Sequence, residues 1–160
     1  MNYGRNNHKG AADITGMKPM EFFLHASCRA LLLTDKIMTQ EDKQLLLKDL
    51  CARLPYGVKC DCKHDHAITP TRVDTEDLTV YYADCDEWEY VEYCKPYLRP
   101  MSSMTEEEKF EYGFITERWM YDATYSISDS VDWLNAHHFD YRGLIEKGLA
   151  IEVTEENNPY

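Results

Sequence analysis

The chain has 160 residues, of which 44% are hydrophobic, and it carries 29 acidic residues against 17 Lys and Arg. This length and apolar content suit one folded domain, or one domain with an appendage, and exclude a globally disordered chain. The charge is uneven, with 5 basic and 3 acidic groups in residues 1–37, 8 and 13 in residues 38–100, and 4 and 13 in residues 101–160. Because nucleic-acid backbones and anionic membrane surfaces are bound by clustered Lys and Arg, we expect neither direct nucleic-acid binding nor membrane attachment.

The six cysteines raise the question of disulfides, which need a secretory context. The apolar run "MEFFLHASCRALLL" at residues 20–33 is interrupted by Glu21, His25 and Arg29. It is therefore a poor signal peptide and too short to span a bilayer. We expect a cytoplasmic protein with reduced thiols.

Helix signals dominate the first third of the chain. Residues 1–37 are interpreted as a poorly ordered leader, with a short helix over 19–33. In "MTQEDKQLLLKDLCARLPYG", Thr39 is the predicted N-cap and Asp42 completes a variant capping box. Leucines then recur at helical spacing up to Leu54, and Pro55 and Gly57 end the pattern, which predicts a helix over 39–54.

Strand signals replace the helical pattern between residues 58 and 98. "LTVYYADCD" and "WEYVEYCKPYL" are rich in Val, Tyr and Trp, while "AITPTRV" is a weaker strand that Pro70 demotes to an edge. In "EWEYVEYC" the spacing predicts one half-buried strand with Trp88, Tyr90, Glu92 and Cys94 on its mainly apolar face. The segment predicts a small antiparallel sheet of three or four strands.

Helical signals return after the proline-containing segment at 95–103. Thr105 and Glu108 form a capping box, and Phe110, Phe114, Met120 and Tyr121 are expected to face the core. A short helix is predicted from Ser128 or Ser130 to about 137.

The last part of the chain closes the predicted domain. "DYRGLIEKG" is interpreted as a last helical turn ending at Gly148, "LAIEV" as a strand that joins the sheet, and residues 154–160 as a frayed tail. The predicted fold class is α+β, with the sheet flanked by helices on both sides in sequence and a single domain over residues 38–153.

Three blocks resemble a known group: "LLLKDLCARLPYGVKC", "KPYLRPMSSMTEEE" and "DWLNAHHFDYRGLIEKGLAIE". They are similar to short proteins encoded in gut Bacteroidetes genomes, their prophages and their phages. The resemblance implies a phage or mobile-element origin, the bacterial host cytoplasm and an accessory role, and it carries over no catalytic residue. Family members typically begin near the position of Met38, so the resemblance leaves either Met1 or Met38 as the natural start.

The stretch "KCDCKHDHA" places Cys60, Cys62, His64 and His66 at every second position. In a straight strand, neighbouring members lie roughly 6.6–7 Å apart and the outer two roughly 20 Å apart. Zinc holds its ligands at roughly 2.0–2.3 Å, so a metal would need a chain reversal near Lys63 or a further ligand such as Cys85. We predict that the four residues lie on or beside a strand and turn, and that they do not jointly hold a metal.

Other residues with reactive side chains are interpreted structurally. His137 and His138 lie at a helix end, where the dipole favours imidazolium and a capping role is expected. Cys28, Cys51 and Cys94 are expected to be small core residues. No catalytic residue and no cofactor are predicted, so we expect a protein that is not an enzyme.

Three hypotheses follow from these observations. The first is a non-enzymatic interaction module that acts on a bacterial or phage protein, favoured by the many Tyr and Trp residues. The second is an acidic mimic of nucleic acid that inhibits a host defence protein. The third is a small zinc-binding protein that uses Cys60, Cys62, His64 and His66.

Overall fold

The computed structural model describes residues 38–63, 65–118, 121 and 126–160. These residues belong to one compact unit that runs from residue 37 to residue 160. The predicted leader and the helix over 19–33 lie outside the described residues. The chain is an α+β protein, with helices before and after its strands.

Helix α1 spans Gln40–Arg53, as the leucine pattern predicts. The Thr39 hydroxyl accepts a hydrogen bond from the backbone N–H of Asp42, which confirms the predicted cap. Gly57 lies after the helix at φ +66°, a left-handed conformation that costs glycine little. The side chains of Leu46 and Leu50 are fully buried, and burial of each contributes about 1.5–3 kcal/mol.

Two three-stranded sheets replace the single predicted sheet. The first has the order β1 (Cys60–Asp61), β5 (Lys95–Leu98), β6 (Ile151–Glu152). Strand β5 pairs antiparallel with β1 and parallel with β6. The predicted strand in "LAIEV" is thus confirmed, and it brings the end of the chain beside β5.

The second sheet is antiparallel and has the order β2 (Arg72–Asp74), β3 (Thr79–Tyr82), β4 (Glu87–Tyr90). Strands β3 and β4 pair antiparallel, which confirms that "LTVYYADCD" and the start of "WEYVEYCKPYL" are strands of an antiparallel sheet. The predicted continuous strand over 87–94 is wrong, because a one-turn 3-10 helix at Val91–Tyr93 separates β4 from β5. This turn interrupts the alternation of inward and outward side chains along the strand, so Val91 and Cys94 are buried while Trp88 and Tyr90 are exposed.

Two helices follow the strands: α2 spans Glu106–Arg118 and α3 spans Ile127–Ala136. The capping box of Thr105 and Glu108 is confirmed, since each side chain accepts from the other residue's backbone N–H. Helix α3 begins earlier than predicted, with Ser126 as its N-cap and Asp129 completing the box. The segment predicted as a last helical turn forms hydrogen-bonded turns instead.

The core consists of two clusters. The larger lies between α1 and the sheets and includes Leu46, Val58, Val80 and Leu98. The smaller consists of Met104, Trp133, Leu134 and Phe139, with side chains of α2 packed against it. No helix within the described ranges has the length and apolar content needed to cross a membrane.

Candidate interaction surface

The structure places the Cys and His residues of "CDCKHDH" in different surroundings. Cys60 lies in β1 and its side chain is fully buried. The hydroxyl of Tyr82 donates a hydrogen bond of 2.9 Å to Sγ of Cys94, which is also fully buried. Burial and the neighbouring Cys94 thiol raise the pKa of Cys60 well above its usual value. Cys60 and Cys94 therefore act as core side chains, as was predicted for Cys94 but not for Cys60. The same prediction is wrong for Cys51, which is exposed, and Cys28 lies outside the described residues.

The rest of this stretch forms a turn. The backbone N–H of Cys62 donates to the carbonyl of Asp65 at 3.0 Å, which reverses the chain. His66 lies exposed, with Nδ1 3.1 Å from Oδ2 of Asp61, and Cys62 is half-buried. The predicted strand and turn are confirmed for the described residues, while His64 lies outside them.

Metal binding is a separate question from this placement. No three His, Cys, Asp or Glu side chains in the described part of the chain are grouped as metal ligands would be. Cys85, named as a further candidate ligand, is exposed. The absence of a joint metal site at Cys60, Cys62, His64 and His66 stays a prediction.

A buried ion pair within α1 contacts the segment after α3. Nε of Arg53 donates to Oδ2 of Asp49 at 2.7 Å, and both side chains are fully buried. Nη2 of Arg53 donates to the carbonyl of Phe139 at 2.7 Å, while Nε of Arg142 lies 3.5 Å from Oδ1 of Asp49. The sequence pattern does not indicate this pair, since Asp49 and Arg53 fall four residues apart in a helix whose leucines dominate that pattern.

The two histidines at the end of α3 differ from each other. His137 is the C-cap of α3, as predicted. His138 is buried, and this burial, with the nearby charges of Arg53, His137 and Arg99, lowers its pKa to about 4. The expectation that the helix end favours imidazolium is therefore wrong for His138. The loss of hydration outweighs the helix dipole there.

Helix α2 presents aromatic side chains to solvent. Phe110 is 79% exposed and Phe114 54%, while Tyr121, which follows the end of α2 at Arg118, is 87% exposed. The expectation that these three residues face the core is wrong, and Met120 lies outside the described residues. Phe110 and Phe114 are four positions apart, so they lie one above the other on one face of α2. We call Phe110 and Phe114 the aromatic stripe.

The opposite face of α2 attaches the helix to the domain. Tyr112 and Ile115 pack against the smaller core cluster, and the Tyr112 ring centroid lies 5.4 Å from that of Trp133. The guanidinium of Arg99 donates to both oxygens of Glu108 at 2.7 and 2.8 Å, which fixes the start of the helix. The aromatic stripe thus lies on a helix that is anchored from its other side.

Carboxylates surround the aromatic stripe. Four glutamates lie on the same side of α2 by their helical positions: Glu106, Glu107, Glu111 and Glu117. The guanidinium carbon of Arg118 lies 5.2 Å from the centroid of the Phe114 ring. Nζ of Lys109 lies 2.6 Å from Oε1 of Glu106. With four carboxylates and these two cations, the surface combines exposed aromatic rings with a rim that is net negative.

Comparisons with protein-family models, with curated proteins and with solved structures found no match for this chain.

Proposed function

We propose that the protein is a non-enzymatic interaction module that binds a partner protein through the aromatic stripe of α2. The observation that carries the proposal is the exposure of Phe110 and Phe114, one helical turn apart, on the face of α2 that points away from the core. Large apolar side chains grouped in this way are typical of protein-binding surfaces. Helices that bind grooves use anchors with this i, i+4 spacing.

The charges around the stripe indicate the chemistry of the partner. The glutamates of α2 would repel a negative surface and attract Lys and Arg. The partner surface that fits is an apolar groove with a basic rim. Phe110 and Phe114 would fill the groove, and the glutamates would pair with the rim.

The resemblance to Bacteroidetes, prophage and phage proteins supports the biological setting of the proposal. We propose an accessory protein of a phage or mobile element that acts in the bacterial host cytoplasm on a host or phage protein. No catalytic role is part of the proposal. The buried Cys60 thiol, with its raised pKa, is a poor nucleophile because the thiolate is the reactive form.

Quantitative capture from a Bacteroidetes host lysate tests this proposal. Three immobilised proteins are compared: the wild type, Phe110→Ser/Phe114→Ser, and Met101→Ser as a matched control. Met101 is also an exposed apolar residue, at 37% exposure, and lies outside α2. We expect a protein whose recovery falls at least tenfold with the double variant and is unchanged with the control. Equal capture by all three proteins would contradict the proposal.

Competition with duplex DNA separates the acidic-mimic alternative from this proposal. A mimic would place its carboxylates where DNA phosphates bind, so DNA would displace the captured protein. Glu107→Gln/Glu111→Gln would then abolish capture, and Phe110→Ser/Phe114→Ser would leave it intact. If the protein is an interaction module, Phe110→Ser/Phe114→Ser should weaken capture more than Glu107→Gln/Glu111→Gln, and DNA should not displace the captured protein.

A further inference from the structure

The sheet β2-β3-β4 has an exposed aromatic face. Trp88 is 50% exposed and Tyr90 59%, and the ring centroids of Trp88 and Tyr81 lie 5.1 Å apart. The opposite face carries Val80 and Tyr82, which are buried. Because side chains alternate along a strand, Trp88 and Tyr90 of β4 point away from the core together.

Strand β4 forms one edge of this sheet. It pairs with β3, and no strand in the described part of the chain pairs with its other side. The N–H of Val91 donates to the carbonyl of Leu78 at 2.9 Å, directly after the β3–β4 ladder. Hydrogen-bonded and non-hydrogen-bonded pairs alternate in an antiparallel ladder, so the backbone groups of Trp88 and Tyr90 point toward the open edge.

The segment that forms this sheet is rich in carboxylates. Residues 73–92 contain eight carboxylates and no Lys or Arg. One of these carboxylates, Glu92, is paired with Lys43 of α1, and the segment stays negative overall.

Two aromatic rings close to β4 have cationic neighbours. The guanidinium carbon of Arg72, the residue before this run, lies 5.3 Å from the Tyr81 ring centroid. Nζ of Lys63 lies 5.5 Å from the ring centroid of Tyr93, which is exposed. Aromatic rings beside β4 thus already bind cationic side chains from the same chain.

We propose that β4 binds an extended, Lys- or Arg-rich segment of a partner protein by strand addition. The segment's backbone would pair with the open backbone groups of Trp88 and Tyr90. Its cationic side chains, at every second position, would lie over the two exposed rings, where the surrounding carboxylates favour positive charge. This surface is separate from the aromatic stripe of α2, so the inference can fail while the proposed function stands, and the reverse also holds.

Isothermal titration calorimetry with two synthetic peptides tests the mode of binding. The first is an eight-residue peptide of alternating Arg and Thr with blocked ends. The second has the same sequence with every backbone nitrogen methylated, which keeps the charge and removes all backbone donors. Strand addition predicts that the Arg–Thr peptide binds at least tenfold more tightly. Equal affinities would overturn the proposal, because charge alone would then account for binding.

Two protein variants locate the site. Trp88→Thr/Tyr90→Thr removes both rings and keeps a good strand former at each position. We expect it to bind the Arg–Thr peptide at least tenfold more weakly than the wild type. Phe110→Ser/Phe114→Ser, altered only on α2, should bind like the wild type. Undiminished binding by the Trp88/Tyr90 variant would contradict the assignment.

Amide hydrogen exchange of the wild-type protein gives a readout that does not depend on any variant folding. Saturation with the Arg–Thr peptide should slow exchange at the amides of Trp88 and Tyr90, which point to the open edge. The already paired amide of Val91 should change little. Peptide binding without protection of Trp88 and Tyr90 would place the peptide elsewhere and overturn the proposal.

Discussion

The ring of Tyr160 lies on the ring of His138, with centroids 4.0 Å apart and planes 10° from parallel. The Tyr160 hydroxyl accepts from the N–H of Lys59 at 3.1 Å and donates to the carbonyl of Tyr97 at 2.9 Å. It therefore bridges the backbones of the segments that contain β1 and β5. The sequence predicts a frayed tail over 154–160, whereas its last side chain covers a buried histidine and completes a backbone connection.

The low pKa of His138 predicts a loss of stability in mild acid. The unfolded state binds a proton at His138 below about pH 6.5, the usual histidine value. The folded state binds it only near pH 4. The free energy of unfolding should therefore fall between these two pH values, by up to about 3 kcal/mol from His138. Urea unfolding at pH 7 and pH 4.5 measures the change.

The variant His138→Asn separates the loss of stability that comes from His138 from the loss that comes from the carboxylates. Asn tolerates the left-handed backbone of position 138, where φ is +58°. We expect the variant to lose less stability than the wild type between the two pH values. The same loss in both proteins, or an NMR titration of His138 near pH 6.5, would show that the imidazole is not held neutral by burial.

The pair of Asp49 and Arg53 predicts a large effect from a single truncation. Asp49→Ala leaves the fully buried guanidinium of Arg53 without its carboxylate, which costs about 3–5 kcal/mol. Chemical unfolding at pH 7 measures this loss. Lys48→Ala is the matched control, since Lys48 is the exposed neighbour on the same helix and its truncation should change stability by less than about 0.5 kcal/mol. If both variants were equally stable, the pair would not hold α1 in place.

Elemental analysis tests the prediction for Cys60, Cys62, His64 and His66. We expect protein purified without a histidine tag to contain less than stoichiometric zinc, since Cys60 lies in the core and His66 is exposed. Cys60→Ser should then lower stability through lost packing, with no change in metal content. One zinc per chain that disappears in Cys60→Ser and in His66→Ala would support the zinc-binding hypothesis instead.

The sequence correctly predicts the elements whose capping residues and apolar spacing match the side chains that the fold buries. Helix α1 has a cap at Thr39, a leucine stripe and a stop at Gly57, and each has the predicted role. The β3–β4 hairpin also follows its pattern. The turn at Val91–Tyr93 was missed because its residues, Val, Glu and Tyr, continue the alternation of a strand. Packing of Val91 into the core decides the break, and that packing depends on α1 and on distant strands.

The aromatic stripe could not be predicted because α2 is apolar on two faces. Phe110 and Phe114 lie on one face, while Tyr112 and Ile115 lie on the other. Spacing identifies both sets, but only the position of Trp133 on α3 decides which set is buried. The sequence-based expectation puts Phe110 and Phe114 in the core, and the structure places Tyr112 and Ile115 there.

Photocrosslinking in host cells tests the central claim most directly. A benzoylphenylalanine placed at position 110 keeps an aromatic ring in the stripe, and the same residue at position 48 serves as an exposed control on α1. We expect a discrete adduct with one partner protein from position 110 and none from position 48. Phe114→Ser should weaken that adduct. No adduct at position 110, or the same adducts from positions 110 and 48, would contradict the claim that the aromatic stripe binds a partner.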